Sequence, residues 1–429
     1  MTTLKAVRGT RDLLPSETAL WNRIEATARD VFARYNFGEI RTPVFEETAL
    51  FARGVGEETD IVSKEMYTWE DRARAQSEKT QSLTLRPENT AGVVRAAIEH
   101  NLFESGQLQK LYYIGPQFRR ERPQKGRYRQ FSQIGAEVIG PPSSGSESPL
   151  RDAEILEMLA TLLDELGITG WTLELNSVGS SADRTRYNET LRAALVPVVS
   201  QMCADCQRRA QTNPLRVLDC KVPADQPIIE KLPVIADSLD EESKKHFDSV
   251  TAALDAAGVP YTLNHRLVRG LDYYTRTTFE FTHGGLGAQN ALLGGGRYDG
   301  LSEMLGGPRA PGIGFAMGED RLVLTLLAQL DEKSAPRQVV DAFIAPLGEN
   351  LNAAALVLAR ELRHQGLWIE LGEGSFRLKK SFEAADKTAR HIVILGEDEL
   401  KSGILTVKNF STGIQTKVPR SELAVFLSN

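Results

Sequence analysis

Three arginines stand at positions where ordered strands and helices would hold them. Arg119 ends a predicted strand, Arg269 lies in a strand-like segment and Arg321 follows a run of small residues. The planar guanidinium group donates paired, charge-assisted hydrogen bonds that match the oxygens of a phosphate. Each arginine alone is most simply a surface residue, but three that converge would stabilise the charge that develops when a phosphoryl group reacts.

No short nucleotide-binding loop accompanies these arginines. The sequence contains neither G-x-x-x-x-G-K-[ST] nor G-x-S-x-G, so a nucleotide would be held by side chains on strands. Glycine-rich stretches at 294–296 and 312–318 are weak signals by themselves, because glycine also serves tight turns and bulges.

Carboxylates and tyrosines supply groups that a small polar ligand would need. Glu88 lies at a predicted strand-to-helix junction, where it could simply support the helix start together with Thr90. Glu137 faces the same side of a predicted strand as Gln133, and a half-buried carboxylate needs a partner that offsets its desolvation. A cationic or hydrogen-bonding ligand would serve, whereas the tyrosine pair at 273–274 is more often a packing feature.

One dense basic segment interrupts an acidic chain. The net charge is -6, from 51 basic and 57 acidic side chains, which gives the whole molecule no general attraction for nucleic acid. Residues 119–129 nevertheless carry six basic side chains against one acidic side chain. Such a run is usually a solvated loop, and a local site for a polyanion is the alternative.

The three cysteines raise the question of a metal site. Cys203 and Cys206 form a C-x-x-C pair, Cys220 follows, and this spacing superficially suggests zinc. No fourth ligand is evident, because His246 lies far along the chain. A redox C-x-x-C motif would need a strand-to-helix context that is missing here. We therefore expect reduced structural thiols and no metal.

Length and composition define the frame that must position these groups. A chain of 429 residues exceeds one ordinary core, so we expect two or three domains. Its 41% hydrophobic and 25% charged residues are typical of soluble globular proteins. No segment approaches the roughly 18 apolar residues of a membrane helix, and residues 1–8 lack the apolar core of a secretory signal. We expect a cytoplasmic protein without membrane contact.

Hydrophobic periodicity predicts the elements around the candidate residues. Helices are predicted over 16–35 and 152–166, and a strand over 40–44. Two further strands, 108–120 and 130–139, are joined by the basic segment into a long hairpin. Because side chains alternate between the faces of a strand, the second hairpin strand should have one packing face and one polar face. Phe131, Gln133 and Glu137 belong to the polar face.

The remainder of the chain divides into three parts by its pattern. Residues 172–258 are mostly polar and helical, which suggests an insertion. Strands resume over 266–281, and residues 339–429 alternate strands with helices, as in a small α/β domain.

Taken in order, several segments resemble a class II histidyl-tRNA synthetase of the bacterial type, and the resemblance covers nearly the whole chain. The segments are 8–12, 84–88, 118–131, 267–274, 294–299 and 312–321. The resemblance implies an α+β fold in which helices flank an antiparallel catalytic sheet, with a helical insertion and a C-terminal α/β anticodon-binding domain. It implies catalytic residues 1–171, an insertion at 172–258, further catalytic residues 259–330 and an anticodon-binding domain at 337–429. It also implies a homodimer, with Pro43 at the interface.

The activity that this resemblance implies is histidine-tRNA ligation. The carboxylate of L-histidine attacks the α-phosphorus of ATP, pyrophosphate leaves, and the terminal ribose hydroxyl of tRNA(His) then attacks the carbonyl of the adenylate. The first step needs no general base, because the carboxylate is already ionised at neutral pH. Mg²⁺ is expected to accompany ATP as part of the substrate, and no tightly bound cofactor is expected.

The same resemblance assigns roles to individual residues. Arg119 and Arg269 are the implied catalytic residues at the α-phosphate, Arg321 holds the γ-phosphate, and Glu121 and Phe131 bind the adenine. The implied histidine-binding residues are Glu88, Thr90, Gln133, Glu137, Arg269, Tyr273, Tyr274 and Tyr298. A carboxylate and a phenol suit the two ring nitrogens of an imidazole, because a ligand without those nitrogens leaves polar groups unpaired.

The basic segment acquires a role from the resemblance as well. Arg122 and Gln124 match positions that contact the end of the tRNA acceptor stem, including the additional 5′ guanine of tRNA(His). Lys125 and Arg127 would more simply meet phosphates.

Two other functions compete with the ligase. A regulatory subunit of histidine biosynthesis would bind histidine without charging tRNA, but such paralogues typically lose motif residues and the anticodon-binding domain. A biotin- or lipoate-type ligase also forms an adenylate. The set Glu137, Tyr274 and Tyr298 and the tRNA-type final domain disfavour that second alternative.

Overall fold

The long hairpin predicted around the basic segment lies inside a large sheet. The computed structural model describes residues 3–56, 59–71, 80–124, 126–268, 273–286, 290–329 and 339–428. The hairpin strands span Gln109–Phe118 and Gln130–Ile139 and pair antiparallel from end to end. Both predicted strands are therefore confirmed, with slightly shorter bounds for the first.

The chain divides into two compact units, Met1–Leu13 with Leu20–Ala335, and Leu14–Ala19 with Pro336–Asn429. The strands of the first unit are β1 (Gly38–Glu39), β2 (Phe45–Glu47), β3 (Tyr67–Asp71), β4 (Gln81–Leu85), β5 (Gln109–Phe118), β6 (Gln130–Ile139), β7 (Trp171–Ser177), β8 (Thr262–Leu263), β9 (Thr275–His283), β10 (Ala291–Arg297) and β11 (Gly312–Gly318). Its helices are α1 (Pro15–Arg34, from Leu20 onward), α2 (Thr48–Val55), α3 (Thr90–Glu99), α4 (Pro149–Leu166), α5 (Ser181–Leu195), α6 (Ala204–Thr212), α7 (Gln226–Ile229), α8 (Glu241–Ala257), α9 (Leu301–Met304) and α10 (Glu319–Gln329).

Eight of these strands form one mixed sheet in the order β1-β5-β6-β11-β10-β9-β7-β8. The six strands from β5 to β7 pair antiparallel, and only the short edge strands β1 and β8 pair parallel with their neighbours. A separate antiparallel sheet of three strands has the order β2-β4-β3. The predicted antiparallel sheet with flanking helices is confirmed.

One face of the large sheet is covered by helices. Ile134, Ala136 and Val138 of β6 pack in the same buried cluster as apolar residues of α1, α4 and α8. In α4, the side chains of Ile155, Leu156, Leu159, Leu162, Leu163 and Leu166 are all at most 1% exposed. Their spacing by three and four residues puts them on one side of the helix, and truncation of such a buried leucine typically costs about 2–5 kcal/mol. Gly167 ends α4 with a left-handed φ of 78°, as predicted.

The strand predicted over 40–44 is wrong. Strands β1 and β2 end before and begin after this segment. Pro43 has no N–H to give to a ladder. The Arg86 guanidinium instead donates to the carbonyls of Thr42 and Pro43 at 2.9 and 3.3 Å. Tyr273 and Tyr274 also lie just before β9, not within the predicted strand.

Helices α5 to α7 enclose a small core of their own, which includes Tyr187, Leu191, Cys206 and Ile229. Strand β7 belongs to the large sheet, and Val250 and Leu254 of α8 belong to the main core. The predicted bounds of the insertion, 172–258, stay a prediction. These contacts favour narrower bounds.

The second unit is a small α/β domain, as predicted. Its strands are β12 (Val340–Pro346), β13 (Ile369–Leu371), β14 (Ala389–Leu395), β15 (Ile404–Asn409) and β16 (Gln415–Pro419), and its helices are α11 (Asn352–His364), α12 (Leu378–Thr388), α13 (Glu397–Ser402) and α14 (Leu423–Ser428). The strand order is β13-β12-β14-β15-β16, parallel at β12 and antiparallel from β14 onward. Within the described parts of the chain, no helix combines the length and apolarity that a bilayer crossing requires.

Candidate active site

A cleft of about 870 Å³ lies over the polar face of the large sheet. It is within the range typical of small-molecule sites. Of the predicted site residues, the cleft is lined by Arg119, Glu121, Phe131, Gln133 and Arg321. Strands β6, β7, β9, β10 and β11, the basic segment and the α6–α7 region all contribute to its walls. The structure therefore brings every predicted ATP-binding residue to one cavity.

Arg119 is held at the end of β5 by two contacts. Its Nε donates to the Pro87 carbonyl at 2.9 Å, and its guanidinium carbon lies 5.3 Å from the centre of the Phe131 ring. A cation over an aromatic face is an attractive pair. Both contacts hold the charged group of Arg119 beside the Phe131 ring, on which a planar base could stack.

Arg321 lies in the first turn of α10, directly after β11. Its guanidinium donates to the Ala291 carbonyl at the beginning of β10. Burial lowers the pKa of Arg321, and the nearby charges of Arg127 and Arg119 lower it further. Arginine nevertheless stays charged in proteins. Three positive groups that repel one another across a cleft are suited to a polyphosphate.

Glu121 already has a cationic partner. Its carboxylate pairs with Arg127 at 3.0 Å, and both side chains line the cleft. The backbone of Arg127 exchanges two hydrogen bonds with that of Gln124, at 2.9 and 3.1 Å. The chain therefore turns here, which brings Arg127 back toward Glu121. A ligand amino group at Glu121 would share the carboxylate with this arginine.

Glu137 is the most deeply buried carboxylate among the predicted site residues, with no exposed surface. The Thr90 hydroxyl donates to one of its oxygens at 2.7 Å and the Tyr298 hydroxyl to the other at 2.6 Å. Burial raises the pKa of Glu137 to about 8, and these two hydrogen bonds oppose that rise. On the neighbouring strand, a Cβ at Gly314 would lie 1.7 Å from the Glu137 Oε2 atom, so only glycine leaves room for the carboxylate.

Glu88 performs the structural role that the sequence left open. Its carboxylate accepts the backbone N–H groups of Thr90 and Ala91 at 2.8 and 3.1 Å, at the start of α3. Burial raises the pKa of Glu88. Thr90 connects the two acids, because its N–H bonds to Glu88 and its hydroxyl to Glu137.

The three predicted tyrosines form one buried aromatic cluster. The ring centres of Tyr273 and Tyr274 are 4.8 Å apart, and those of Tyr273 and Tyr298 are 5.8 Å apart. Tyr298 joins this cluster to Glu137. Gln133, on the same face of β6 as Glu137, has a buried side-chain oxygen without a hydrogen-bond partner among the described residues. The predicted histidine-binding residues that the structure describes therefore meet at Glu137. Thr90, next to Glu88, bonds to one oxygen of this carboxylate, and Tyr298 of the tyrosine cluster bonds to the other.

The remaining predicted residues have different positions. Arg269 and Lys125 lie outside the described residues. Arg122 and Gln124 are exposed on the loop between β5 and β6, next to residues that line the cleft but not among them.

Sequence reasoning missed two polar side chains on the same sheet face. Gln117 is fully buried opposite Phe131, and within the described residues neither of its amide atoms has a partner. Tyr113 is buried opposite Gly135, where a Cβ would lie 2.4 Å from its hydroxyl oxygen. Burial, and then the charge of Glu137, raises the pKa of Tyr113. The odd-numbered positions of β5, which share a face with Arg119, were the signal that could have identified both.

The insertion supplies the fourth donor that the cysteine spacing lacks. Asp225 lies beside all three cysteines, and the ligand atoms of the four residues are within 4.8 Å of one another. Asp225 is therefore a candidate for the fourth ligand that the sequence did not reveal, and the expectation of reduced structural thiols without metal stays a prediction.

Comparisons with known proteins agree with this geometry. A family model described as Histidyl-tRNA synthetase matches residues 9–322, and one described as Anticodon binding domain matches residues 341–429. The chain is 71% identical over 427 residues to a histidine-tRNA ligase of Koribacter versatilis, covering 99% of this chain and 96% of the relative. It is 55% identical over 426 residues to a histidine-tRNA ligase of Solibacter usitatus, covering 99% of each.

A solved structure gives the same result for the fold. The crystal structure of apo S. aureus histidyl-tRNA synthetase matches with a TM-score of 0.80 and 38% identity over 100% of both chains. The predicted class II architecture with a C-terminal anticodon-binding domain is confirmed. The regulatory-subunit alternative is disfavoured, because relatives named as ligases match nearly the full length. The chain belongs to the histidyl-tRNA synthetase family.

Proposed function

We propose that the cleft over β6 activates histidine with ATP and transfers it to tRNA(His), and that the residues described above divide this work by position. The observation that carries the proposal is the polar face of β6. Phe131, Gln133 and Glu137 share this face, with Arg119 over the Phe131 ring and the buried Tyr298 bonded to Glu137. One strand thus connects a site suited to a polyphosphate nucleotide with a site suited to a ring that carries N–H groups.

At the nucleotide end, MgATP is the proposed substrate form. Phe131 would stack on the adenine, Arg119 would neutralise the α-phosphate and Arg321 the γ-phosphate. Preorganised cations at the reacting phosphate stabilise the charge of the transition state. Carboxylates of Glu280 and Asp320 also line the cleft, and carboxylate oxygens are the ligands that Mg²⁺ prefers.

At the amino-acid end, Glu137 is the proposed acceptor for an imidazole N–H. A carboxylate offers about four lone-pair sites, so Glu137 can accept a third donor in addition to Thr90 and Tyr298. Glu88 and Gln133 would bind the α-amino group. An amino acid without a ring N–H would leave the buried Glu137 without that donor, which gives the site its selectivity.

The reaction then follows from positioning. The histidine carboxylate attacks the α-phosphorus, the bond to the bridging oxygen breaks, and pyrophosphate leaves with the charge that Arg321 neutralises. Arg269 would act with Arg119 at the α-phosphate. In the second step the ribose hydroxyl of tRNA(His) forms the ester, and AMP leaves with the electrons of the cleaved acyl-phosphate bond.

We also propose a homodimer that works in the cytoplasm, where tRNA is charged. Val44 and Phe45, which directly follow Pro43, are 40% and 49% exposed, and Trp69 on the three-stranded sheet is 40% exposed. The ring centres of Phe45 and Trp69 lie 6.1 Å apart. Paired exposed aromatic residues are typical of an interface. Arg122 and Gln124, exposed beside the cleft, are the proposed contacts to the acceptor stem.

The direct test is ATP-pyrophosphate exchange with each of the twenty amino acids, followed by charging of purified tRNA(His). The expected result is exchange and charging with histidine alone, and a severe reduction of both in Arg119→Ala and Arg269→Ala. Histidine binding without exchange would instead support the regulatory function.

A further inference from the structure

Four potential metal ligands meet in the insertion, and none of them has a role in the proposed reaction. Cys203 precedes α6, Cys206 lies in its first turn, Cys220 follows in a turn, and Asp225 directly precedes α7. Their sulfur and carboxylate atoms all lie within 4.8 Å of one another. Only folding brings Asp225 to the three thiols.

Two of the six distances between these donors match the edges of a tetrahedral zinc site. With zinc-sulfur bonds of about 2.3 Å, the edge between two sulfurs of a tetrahedron is about 3.8 Å long. The Sγ atoms of Cys203 and Cys220 are 3.9 Å apart. A sulfur-oxygen edge would be about 3.5 Å, and the Cys220 Sγ atom lies 3.3 Å from the Asp225 Oδ2 atom.

A disulfide fits the same atoms less well. The two sulfurs of a disulfide are about 2.05 Å apart, whereas the sulfurs of Cys203 and Cys220 are separated by 3.9 Å. A disulfide between two of the cysteines would also not explain why the third thiol and the Asp225 carboxylate lie beside them.

Backbone N–H groups support the donors as outer partners of a metal site do. The N–H of Val222 donates to the Cys220 Sγ atom at 3.4 Å. The N–H of Cys203 points to both Asp225 oxygens, at 3.1 and 3.2 Å.

Burial makes the cluster a closed site. Cys206, Cys220 and Asp225 are 0%, 6% and 1% exposed. Among the described residues no lysine or arginine forms an ion pair with Asp225, and a buried carboxylate needs a partner for its charge. Four donors with no open position are characteristic of a structural zinc site and not of a catalytic one. Thiolate ligands select zinc over Mg²⁺ or Ca²⁺.

The segments that the cluster joins also form one wall of the cleft. Leu218, Asp219 and Lys221, on either side of Cys220, line the cleft. Arg216 bonds to Asp60 at 2.9 Å, and Arg209 of α6 lies 3.8 Å from the same carboxylate. Asp60 lines the cleft as well.

We propose that Cys203, Cys206, Cys220 and Asp225 bind one Zn²⁺, which fastens α6 to the segment ending at Asp225 and so fixes the insertion side of the cleft. The site is structural. Its loss would loosen the positions of Arg209 and Arg216 while leaving the residues on β5 and β6 in place.

The first test measures metal in the full chain, expressed with added zinc and purified under reducing conditions without chelator. The expected zinc content by elemental mass spectrometry is about one ion per chain, as in closed four-ligand sites. Asp225→Asn and Cys206→Ser should lose it. Asp205→Asn is the matched control, because Asp205 lies in the same helix, is exposed and pairs with Arg208 instead, and it should keep its zinc.

The second test does not depend on variants that fold. The wild-type chain, stripped and reloaded with Co²⁺, should show the strong near-ultraviolet thiolate-to-cobalt bands and visible bands of tetrahedral coordination. Zinc removal should also lower the melting temperature of the wild type. Three freely titrating thiols with no bound zinc and no cobalt spectrum would overturn the proposal. So would a mass lower by two hydrogens, which indicates a disulfide.

Discussion

In the proposed function, Glu137 determines which amino acid the enzyme binds. Its two oxygens are engaged by Thr90 and Tyr298, and its position is possible only because Gly314 has no side chain. Charge, hydrogen bonding and space are thus all fixed around one carboxylate.

Replacement of Glu137 by glutamine should weaken the use of histidine by the enzyme but not its binding of ATP. Glutamine keeps the shape but replaces one oxygen by an amide nitrogen that can only donate, and a buried polar group left unpaired costs about 1–3 kcal/mol. The kcat/KM for histidine in pyrophosphate exchange should fall on the order of 10- to 100-fold, with the KM for ATP nearly unchanged. Glu99→Gln is the control, since Glu99 is an exposed partner of Arg95 on α3. Equal losses for both substrates would contradict this role.

The same substitution should change how stability depends on pH. The pKa of Glu137 is raised from 4.5 to about 8. Between these values the folded protein holds a proton that the unfolded chain has released, so this group makes stability fall as the pH rises. The melting temperature of Glu137→Gln, relative to wild type, should therefore increase between pH 5 and pH 8.5. A constant difference across this range would show that Glu137 titrates normally.

Gly314→Ala should damage histidine binding through space alone. The added Cβ would lie 1.7 Å from the Glu137 Oε2 atom and 2.7 Å from the Ala136 carbonyl oxygen, and such overpacking typically costs about 1–3 kcal/mol. Thermal melting and the KM for histidine report the two effects. In the control Gly300→Ala, the Cβ meets no atom of the described chain within 4 Å. Similar behaviour of both variants would refute the steric argument.

The positions of individual site residues could be predicted where the alternation of side chains along a single strand was enough to place them. The period of two is enough to place Phe131, Gln133 and Glu137 on one face of β6. Asp225 was not predictable in this way, because its contact with the cysteines depends on how three turns of the insertion fold.

At the scale of elements, the Arg86 side chain connects segments that are not paired with each other as strands. Its guanidinium donates to the carbonyls of Thr42, Pro43 and Pro116 at 2.9, 3.3 and 2.9 Å. It thereby holds the irregular segment before β2 against β5, at the point where the chain turns toward α3.

Arg86→Ala should lower the free energy of unfolding by about 2–4 kcal/mol, because several buried carbonyls lose their donor together. Arg86→Lys should recover only part of this loss, since an ammonium group cannot reproduce the planar fork. Urea unfolding measures both. If the lysine variant equals wild type, the geometry of the fork is unimportant here.

Regular elements were predicted best. The helices α1 and α4 and the hairpin of β5 and β6 follow from periodic apolar spacing that tertiary contacts reinforce. The strand predicted at 40–44 failed because a side chain, Arg86, takes the carbonyls that a ladder would otherwise use. Local spacing contains no information about such a distant donor.

At the scale of the whole molecule, the exposed aromatic pair on the three-stranded sheet should be covered by a second copy. Sedimentation equilibrium is expected to give twice the chain mass of 47.3 kDa. Trp69→Glu should shift the protein toward the monomer and reduce activation of histidine. Trp368→Glu is the control, because Trp368 is also exposed but lies in the second unit. A wild-type monomer at micromolar concentration would reject the dimer.

Strand β6 also sets the distance between the two ends of the proposed substrate site. Phe131 and Glu137 are six residues apart, which is about 20 Å along an extended strand, and no side-chain movement can change this backbone distance. An inserted residue between them would turn one end toward the helices. An insertion of two residues would keep Phe131 and Glu137 on the same face but would increase the distance between them. The two ends of the proposed site would then lie too far apart for the adenylate of histidine.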